Sequence, residues 1–303
     1  MKNTGGVLHM SEAYDSNRIT RDYFDSLLLE TRYIDADLPS TEIEMFGRTY
    51  QMPIMTAALS HLHSVCENGM SEFALGAKKA GALCFVGMGE DKDLEEMAAT
   101  GADIVKIIKP HEDNAEVFRK IEHAVSQKVV AVGMDIDHVF AGNGRYDVVC
   151  GLPMKPKSYE ELKGFVNASP VPFVVKGVLS VRDAIKCVSM GASAIIVSHH
   201  HGIMPYSVPP LMILPDIVRA VGGQIKIIVD CGIESGIDVF KALALGADAV
   251  CVGRDLMERL KDGHEGVTER LWELNDELKS IMARTGSPSP SMIDPSVIHR
   301  KYF

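Results

Sequence analysis

From residue 53 onward, short apolar runs rich in β-branched residues alternate with longer stretches whose apolar positions recur every three or four residues. The first pattern suits strands buried on both faces, and the second suits helices with one buried stripe. Strands are predicted at Pro53–Ala58, Ala82–Gly87, Asp103–Ile108, Val129–Asp135, Pro172–Gly177, Ser193–His199, Ile225–Gly232 and Ala249–Arg254. Between them the spacing predicts helices at Glu72–Ala80, Ala115–Val125, Tyr159–Val166, Val181–Met190, Pro215–Val221 and Gly236–Leu245. Such alternation predicts parallel βα units, and eight of them close a (β/α)8, or TIM, barrel. Four strands follow a Gly-Ala step, at Gly81, Gly101, Gly191 and Gly246, where glycine can end the preceding helix in a left-handed cap. An open doubly wound sheet would place a glycine-rich GxGxxG turn near its first strand, and none is present.

Residues 1–52 form a lead-in to be packed on the barrel, with a helix expected at Arg21–Leu29 and an extended segment through Glu42–Met45. Residues 53–303 comprise the barrel, a C-terminal helix at Glu269–Met282 and a tail in which Ser287–Pro290 reads as a tether. The stretch from Gly142 to Lys157 is a long loop after the fourth strand, over the face where barrels carry out chemistry.

Composition narrows the partners. With 46% hydrophobic and 24% charged residues the chain can bury a large core, and its formal net charge of −10 disfavours nucleic acid or an anionic membrane as a partner. A small-molecule partner is expected. The six cysteines form no CxxC pair and lie mostly in apolar runs, no run reaches the length of a membrane span, and the N-terminus lacks the apolar stretch of a signal peptide. These features predict a cytoplasmic protein.

Barrel enzymes carry reactive groups at the carboxyl ends of their strands. There the chain places Asp135, Lys176, the run from Ser198 to Gly202 with His199, His200 and His201, the Asp230-Cys231-Gly232 turn and Gly253-Arg254-Asp255. A lysine ending a buried strand can pair with a carboxylate, bind an anion, form a Schiff base or stabilise an electron-rich cofactor atom. Gly232, Gly253 and Arg254 end strands seven and eight, where barrels bind phosphate through backbone N–H groups; ordinary turns with a surface arginine are the bland alternative. Neighbours on an extended strand point to opposite faces, so His199 and His201 are expected to share one face and His200 the other. A metal site would need further ligands, which Asp135, Asp137 and His138 could supply; one base with shaping neighbours competes with it, and no metal is expected.

Taken together, VVKGVLSVRDAIKCVSMGASAIIVSHHHG, LPDIVRAVGG and IIVDCGIESGIDVFKALALGADAVCVGRDLM resemble the FMN-dependent α-hydroxy-acid dehydrogenase/oxidase family, which includes glycolate and lactate oxidases. The resemblance covers residues 171–286 closely and residues 45–137 more loosely. It implies FMN as cofactor and a homotetrameric assembly. By this resemblance Lys176 contacts the electron-rich edge of the flavin, Ser198 touches the flavin, His200 is the active-site base, and Asp135 orients it. Asp230, Gly232, Gly253 and Arg254 fall where the family holds the ribityl phosphate, and Ala57, Ala58 and Gly87 where it lines the flavin ring.

Several positions depart from the family. Ile203 stands in place of the arginine that grips the substrate carboxylate, Ile108 in place of a strand-three tyrosine, Glu234 in place of an arginine near the cofactor, and Cys231 in place of a glycine. Arg145, His199 and His201 are the side chains expected to replace the lost anchor. The resulting expectation is an FMN-dependent oxidoreductase that converts a small 2-hydroxy acid or related alcohol to the carbonyl. The alternatives are an isomerase of the type 2 isopentenyl diphosphate kind, a metal-dependent lyase or hydrolase built on the histidines, and a flavin-binding protein without catalysis.

Overall fold

The computed structural model describes residues 14–301. Eight parallel strands run in the order 1-8-7-6-5-4-3-2: Ile54–Thr56, Cys84–Val86, Ile104–Ile108, Ala131–Asp135, Phe173–Val178, Ala194–Val197, Lys226–Val229 and Ala249–Val252. Strands one and two complete the circle through Thr56. Its backbone N–H donates to the Leu83 carbonyl (3.2 Å), while its hydroxyl accepts from Phe85 N (2.9 Å) and donates to Phe85 O (3.1 Å). The result is a (β/α)8 barrel, as the alternating pattern predicts.

Each strand carries two apolar faces. Met55, Phe85, Ile107, Ala131, Val174, Ile196, Ile228 and Cys251 fill the barrel interior, while Ile54, Val86, Ile108, Met134, Val175, Val197, Val229 and Val252 pack on the helices. At Gly133 the inner layer leaves no room for a side chain, since a Cβ would lie 2.4 Å from the Val174 carbonyl oxygen. Extending the two-residue period past the strand ends places Ala57, Gly87, Lys109, Asp135, Lys176, Ser198, Asp230 and Gly253 on the inward-facing rim. The four Gly-Ala caps are left-handed, with φ of 72°, 73°, 86° and 103° at Gly81, Gly101, Gly191 and Gly246.

Four local expectations change. The lead-in helix is Ser16–Asp25, capped by Asp15, and Leu27–Leu29 is instead a strand paired antiparallel with Ile298–Arg300. That pairing joins the two ends of the described chain, and a local apolar pattern cannot register it. The expected tether is a fixed turn: Ser287 is buried and its hydroxyl lies 2.9 Å from that of Thr285. An additional helix, Asp91–Ala99, follows strand two and opens on a capping box between Glu90 and Asp93. The helix expected from Pro215 begins at Pro210 and carries Pro215 within it.

The hairpin Ile43–Met45/Arg48–Tyr50 packs Met45 and Tyr50 into the inner cluster, beside Leu83 and Val130 at the amino ends of their strands. At the other end the lead-in helix walls strands six and seven. Arg21 pairs with Asp238 at 2.8 Å, and a Cβ on Gly232 would lie 2.9 Å from the Thr20 methyl. The long loop folds into a small hairpin, Val148–Val149 with Leu152–Pro153.

Candidate active site

A cavity of about 460 Å³ opens at the carboxyl ends of the strands. Ala57, Ala58, Lys176, His200, His201, Asp230, Gly232, Gly253 and Arg254 line it. Asp135 lies beneath it, touching both His200 and Lys176. Ser198 is buried next to the cavity, and its hydroxyl accepts from the His200 N–H at 3.0 Å. Gly87 gives its carbonyl to Lys106 at 2.6 Å.

Two of the expected substrate-binding residues lie elsewhere. His199 is buried on the far side of the chain, where Nε2 meets the Thr20 hydroxyl at 2.8 Å and Nδ1 accepts from Gly202 N at 2.9 Å. Arg145 is exposed on the long loop and lines neither this cavity nor the second one at the rim. The expected alternation of the three histidines fails because strand six ends at Val197, and His200 and His201 are left-handed, with φ of 48° and 56°. Both rings therefore reach the cavity, while His199 turns away. Left-handed residues other than glycine cost of order 1–3 kcal/mol each and cluster at functional sites.

The cavity floor is a network of charges. His200 Nδ1 lies 2.8 Å from Asp137 Oδ1 and 3.3 Å from Asp135 Oδ1. Asp135 Oδ2 accepts from Lys109 Nζ at 2.7 Å, and Lys109 also meets His138 Nδ1 at 2.9 Å. Asp137 is thus the nearer partner of the His200 ring, where the resemblance implied Asp135. Gly177 makes room for it: φ is 91°, and a Cβ there would lie 2.4 Å from the Asp137 carboxyl carbon. Lys109 was also absent from the expected site. The period of two makes it the inward residue after Ile107 and turns Ile108 to the helix layer, so Lys109 takes the position expected for Ile108.

Burial disfavours charge on His200, but hydrogen bonds to Asp135 and Asp137 outweigh it and lift the ring to about 9. Burial and the neighbouring Asp135 push Asp137 up to about 6. Asp135 is held well below the usual carboxylate range: burial works against this, and Lys176, Asp137, His200 and Lys109 together prevail. Burial also opposes the charge on Lys176, yet Asp135 and Asp230 raise it above an ordinary lysine. With ammonium groups already on Asp135 at 2.7 and 3.7 Å, a divalent ion among Asp135, Asp137 and His200 would meet positive charge on two sides.

The residues fit FMN. The buried Lys176 ammonium faces the cavity, yet its nearest carboxylate oxygens are 3.7 and 3.9 Å away, too long for hydrogen bonds. It retains donors for an electron-rich acceptor. Gly232 and Gly253 leave backbone uncovered beside Arg254, which reaches across to His201 Nδ1. Of the acidic residues on that wall, Asp255 is paired with Arg270 at 2.7 Å.

A parallel eightfold barrel with a buried lysine, a carboxylate-held histidine and a glycine-arginine wall at its carboxyl rim defines a flavin-dependent oxidoreductase of the barrel type. The profile of the family described as FMN-dependent dehydrogenase matches residues 8–162 and 154–300. The chain belongs to that family, and its cofactor is FMN. It is 41% identical to an L-lactate oxidase of Roseobacter sp. (strain GAI101) over 158 residues, which are 52% of this chain and 43% of that protein. An L-lactate oxidase of Nostoc sp. (strain PCC 7120 / SAG 25.82 / UTEX 2576) is 27% identical across 92% of this chain and 88% of its own length. Among solved structures, a mandelate oxidase variant with a monooxide FMN adduct superposes with a TM-score of 0.87 at 30% identity, covering 96% of this chain and 92% of that one.

Proposed function

We propose that the protein oxidises a 2-hydroxy acid to the 2-oxo acid, with His200 as the base and Lys176, Ala57, Ala58, Asp230, Gly232, Gly253 and Arg254 holding FMN. Bound FMN supplies the two-electron acceptor. His200 takes the hydroxyl proton at Nε2, because Nδ1 is committed to Asp137. The Asp137 carboxylate steadies the imidazolium that forms, and the Lys176 ammonium offsets negative charge gained on the cofactor side of the cavity. Asp135, clamped by Lys109, fixes the geometry of both. Support for the substrate class comes from the lactate and mandelate oxidases that the chain resembles.

One observation carries this reading: an imidazole held through Nδ1 by the half-buried Asp137 carboxylate stands in the same cavity as a buried ammonium whose nearest carboxylate oxygens are 3.7 and 3.9 Å away. The test is anaerobic flavin reduction by a panel of 2-hydroxy acids in wild type and His200→Ala. The variant is expected to bind FMN and to lose about a hundredfold to ten-thousandfold in reduction rate. Unchanged reduction kinetics would remove His200 from the role.

The proposal extends to a homotetramer in the cytoplasm. All six cysteines are unpaired, and among the described residues no helix is long and apolar enough to cross a membrane. Exposed Ile34 and Leu38 in the lead-in give subunits an apolar surface to share. Sedimentation equilibrium of the purified protein tests the assembly.

A further inference from the structure

The wall of the first cavity that Gly232, Gly253 and Arg254 form carries mixed charge. The backbone N–H groups of Gly232, Ile233 and Gly253 donate to no acceptor among the described residues, so an anion set against them finds donors beside the Arg254 guanidinium. Four carboxylates share the lining. Asp230 faces Lys176 at 3.9 Å and Asp255 pairs with Arg270 at 2.7 Å, whereas Glu234 and Glu258 are exposed and have no ion-pair partner among the described residues. The neighbouring cations are committed elsewhere. Arg270 also holds Glu273 at 2.9 Å and the Glu234 carbonyl oxygen at 3.0 Å, Arg259 lies 3.2 Å from Glu273, and Arg21 pairs with Asp25 and Asp238. Burial and Arg254 hold the His201 ring below its ordinary value, so it adds little charge of its own. One guanidinium therefore stands against two free carboxylates where the phosphate of FMN brings about 1.5–2 negative charges more.

We propose that Glu234 and Glu258 set the cofactor selectivity of this wall: they weaken the hold on the phosphate and narrow the preference for FMN over riboflavin, the same flavin without it. The inference rests on the reading that places the phosphate against Gly232, Gly253 and Arg254. At a solvent-exposed wall each carboxylate opposes a phosphate charge a few ångströms away by roughly threefold to fivefold in affinity, and salt screens the effect. The carboxylates that act most on Lys176, at the other end of the cavity, are Asp135, Asp230 and Asp137. Neither glutamate is among them, so their effect falls on the phosphate and spares the ring.

The experiment is fluorescence titration of the full chain, freed of flavin from its FMN-loaded form, with FMN and with riboflavin at ionic strengths of about 0.01 and 1 M, where screening lengths are about 30 and 3 Å. At low ionic strength the double variant Glu234→Gln/Glu258→Gln is expected to bind FMN at least about fivefold more tightly than wild type, and riboflavin within about twofold of it. At high ionic strength the gain should shrink towards none. Arg254→Gln is expected to bind FMN at least about tenfold more weakly and riboflavin as wild type does. Retained riboflavin binding establishes that each variant is folded. Unchanged FMN affinity in the double variant, an equal gain for riboflavin, or a wild type that binds FMN alone overturns the proposal. Unchanged FMN affinity in Arg254→Gln overturns instead the placing of the phosphate on this wall. Because turnover is not read, loss of the 2-hydroxy-acid reading in the reduction assay leaves this result to stand or fall separately.

Discussion

The rim of the barrel has two unlike arcs. Along strands five to eight and strand one, the inward positions are Lys176, Ser198, Asp230, Gly253 and Ala57: one lysine facing one aspartate among small side chains, with open backbone at Gly253. Along strands three and four they are Lys109 and Asp135, joined by Asp137 and His138 from the loop and by an outward-facing Lys106 close by. The first arc lines the larger cavity and leaves about 460 Å³ open above it. The second is crowded with charges that neutralise one another, a means of setting proton affinities more than of making space. His200 is where they meet, since its backbone comes from strand six and its ring partners come from beyond strand four.

The sharpest way to break this division is to remove a charge from the second arc. Asp137→Asn is expected to slow flavin reduction by about tenfold to a hundredfold and to bring the His200 ring down from about 9 towards its ordinary range, with FMN affinity unchanged. Asp135→Asn should instead impair folding and FMN retention, because it strands both Lys109 and Lys176; loss of a buried partner costs about 3–5 kcal/mol. Denaturation and flavin titration of the two variants separate the roles, and identical phenotypes would merge them.

The pH profile sharpens the same comparison. With the His200 ring raised to about 9, its neutral, proton-accepting form is scarce at neutral pH and grows as pH rises. Flavin reduction should climb by nearly tenfold per pH unit below that value and level off above it. A profile already flat at neutral pH would show that the two aspartates do not hold the proton on the ring. The smallest effect belongs to the outer side of the first arc: His199→Ala is expected to cost about 1–2 kcal/mol of stability through loss of the buried Thr20 contact, while leaving the rate within about twofold.

The first arc was readable in the amino-acid sequence because its signals are local. Lys176 ends an apolar run, and the glycines and Arg254 sit at fixed offsets from strand ends. The barrel followed from the same alternation. Of the second arc only Asp135 was, as the last residue of its apolar run, and the rest was not for two physical reasons. Lys109 comes one residue after the apolar run stops at Ile108, and only the inward parity of Val105 and Ile107 identifies it as a rim residue. Asp137 becomes the partner of His200 through left-handed turns at His200 and Gly177, far apart in the chain, and a reading based on extended strands pairs His199 with His201 when His200 and His201 share the cavity. Likewise, the pairing of Leu27–Leu29 with Ile298–Arg300 depends on where the last helix delivers the tail.

Anaerobic mixing of the FMN-loaded wild-type protein with mandelate and with lactate, followed by flavin absorbance and product analysis, tests the central claim most directly. The account predicts bleaching of the flavin with one 2-oxo acid formed for each flavin reduced. A flavin that stays oxidised with every 2-hydroxy acid offered would contradict it.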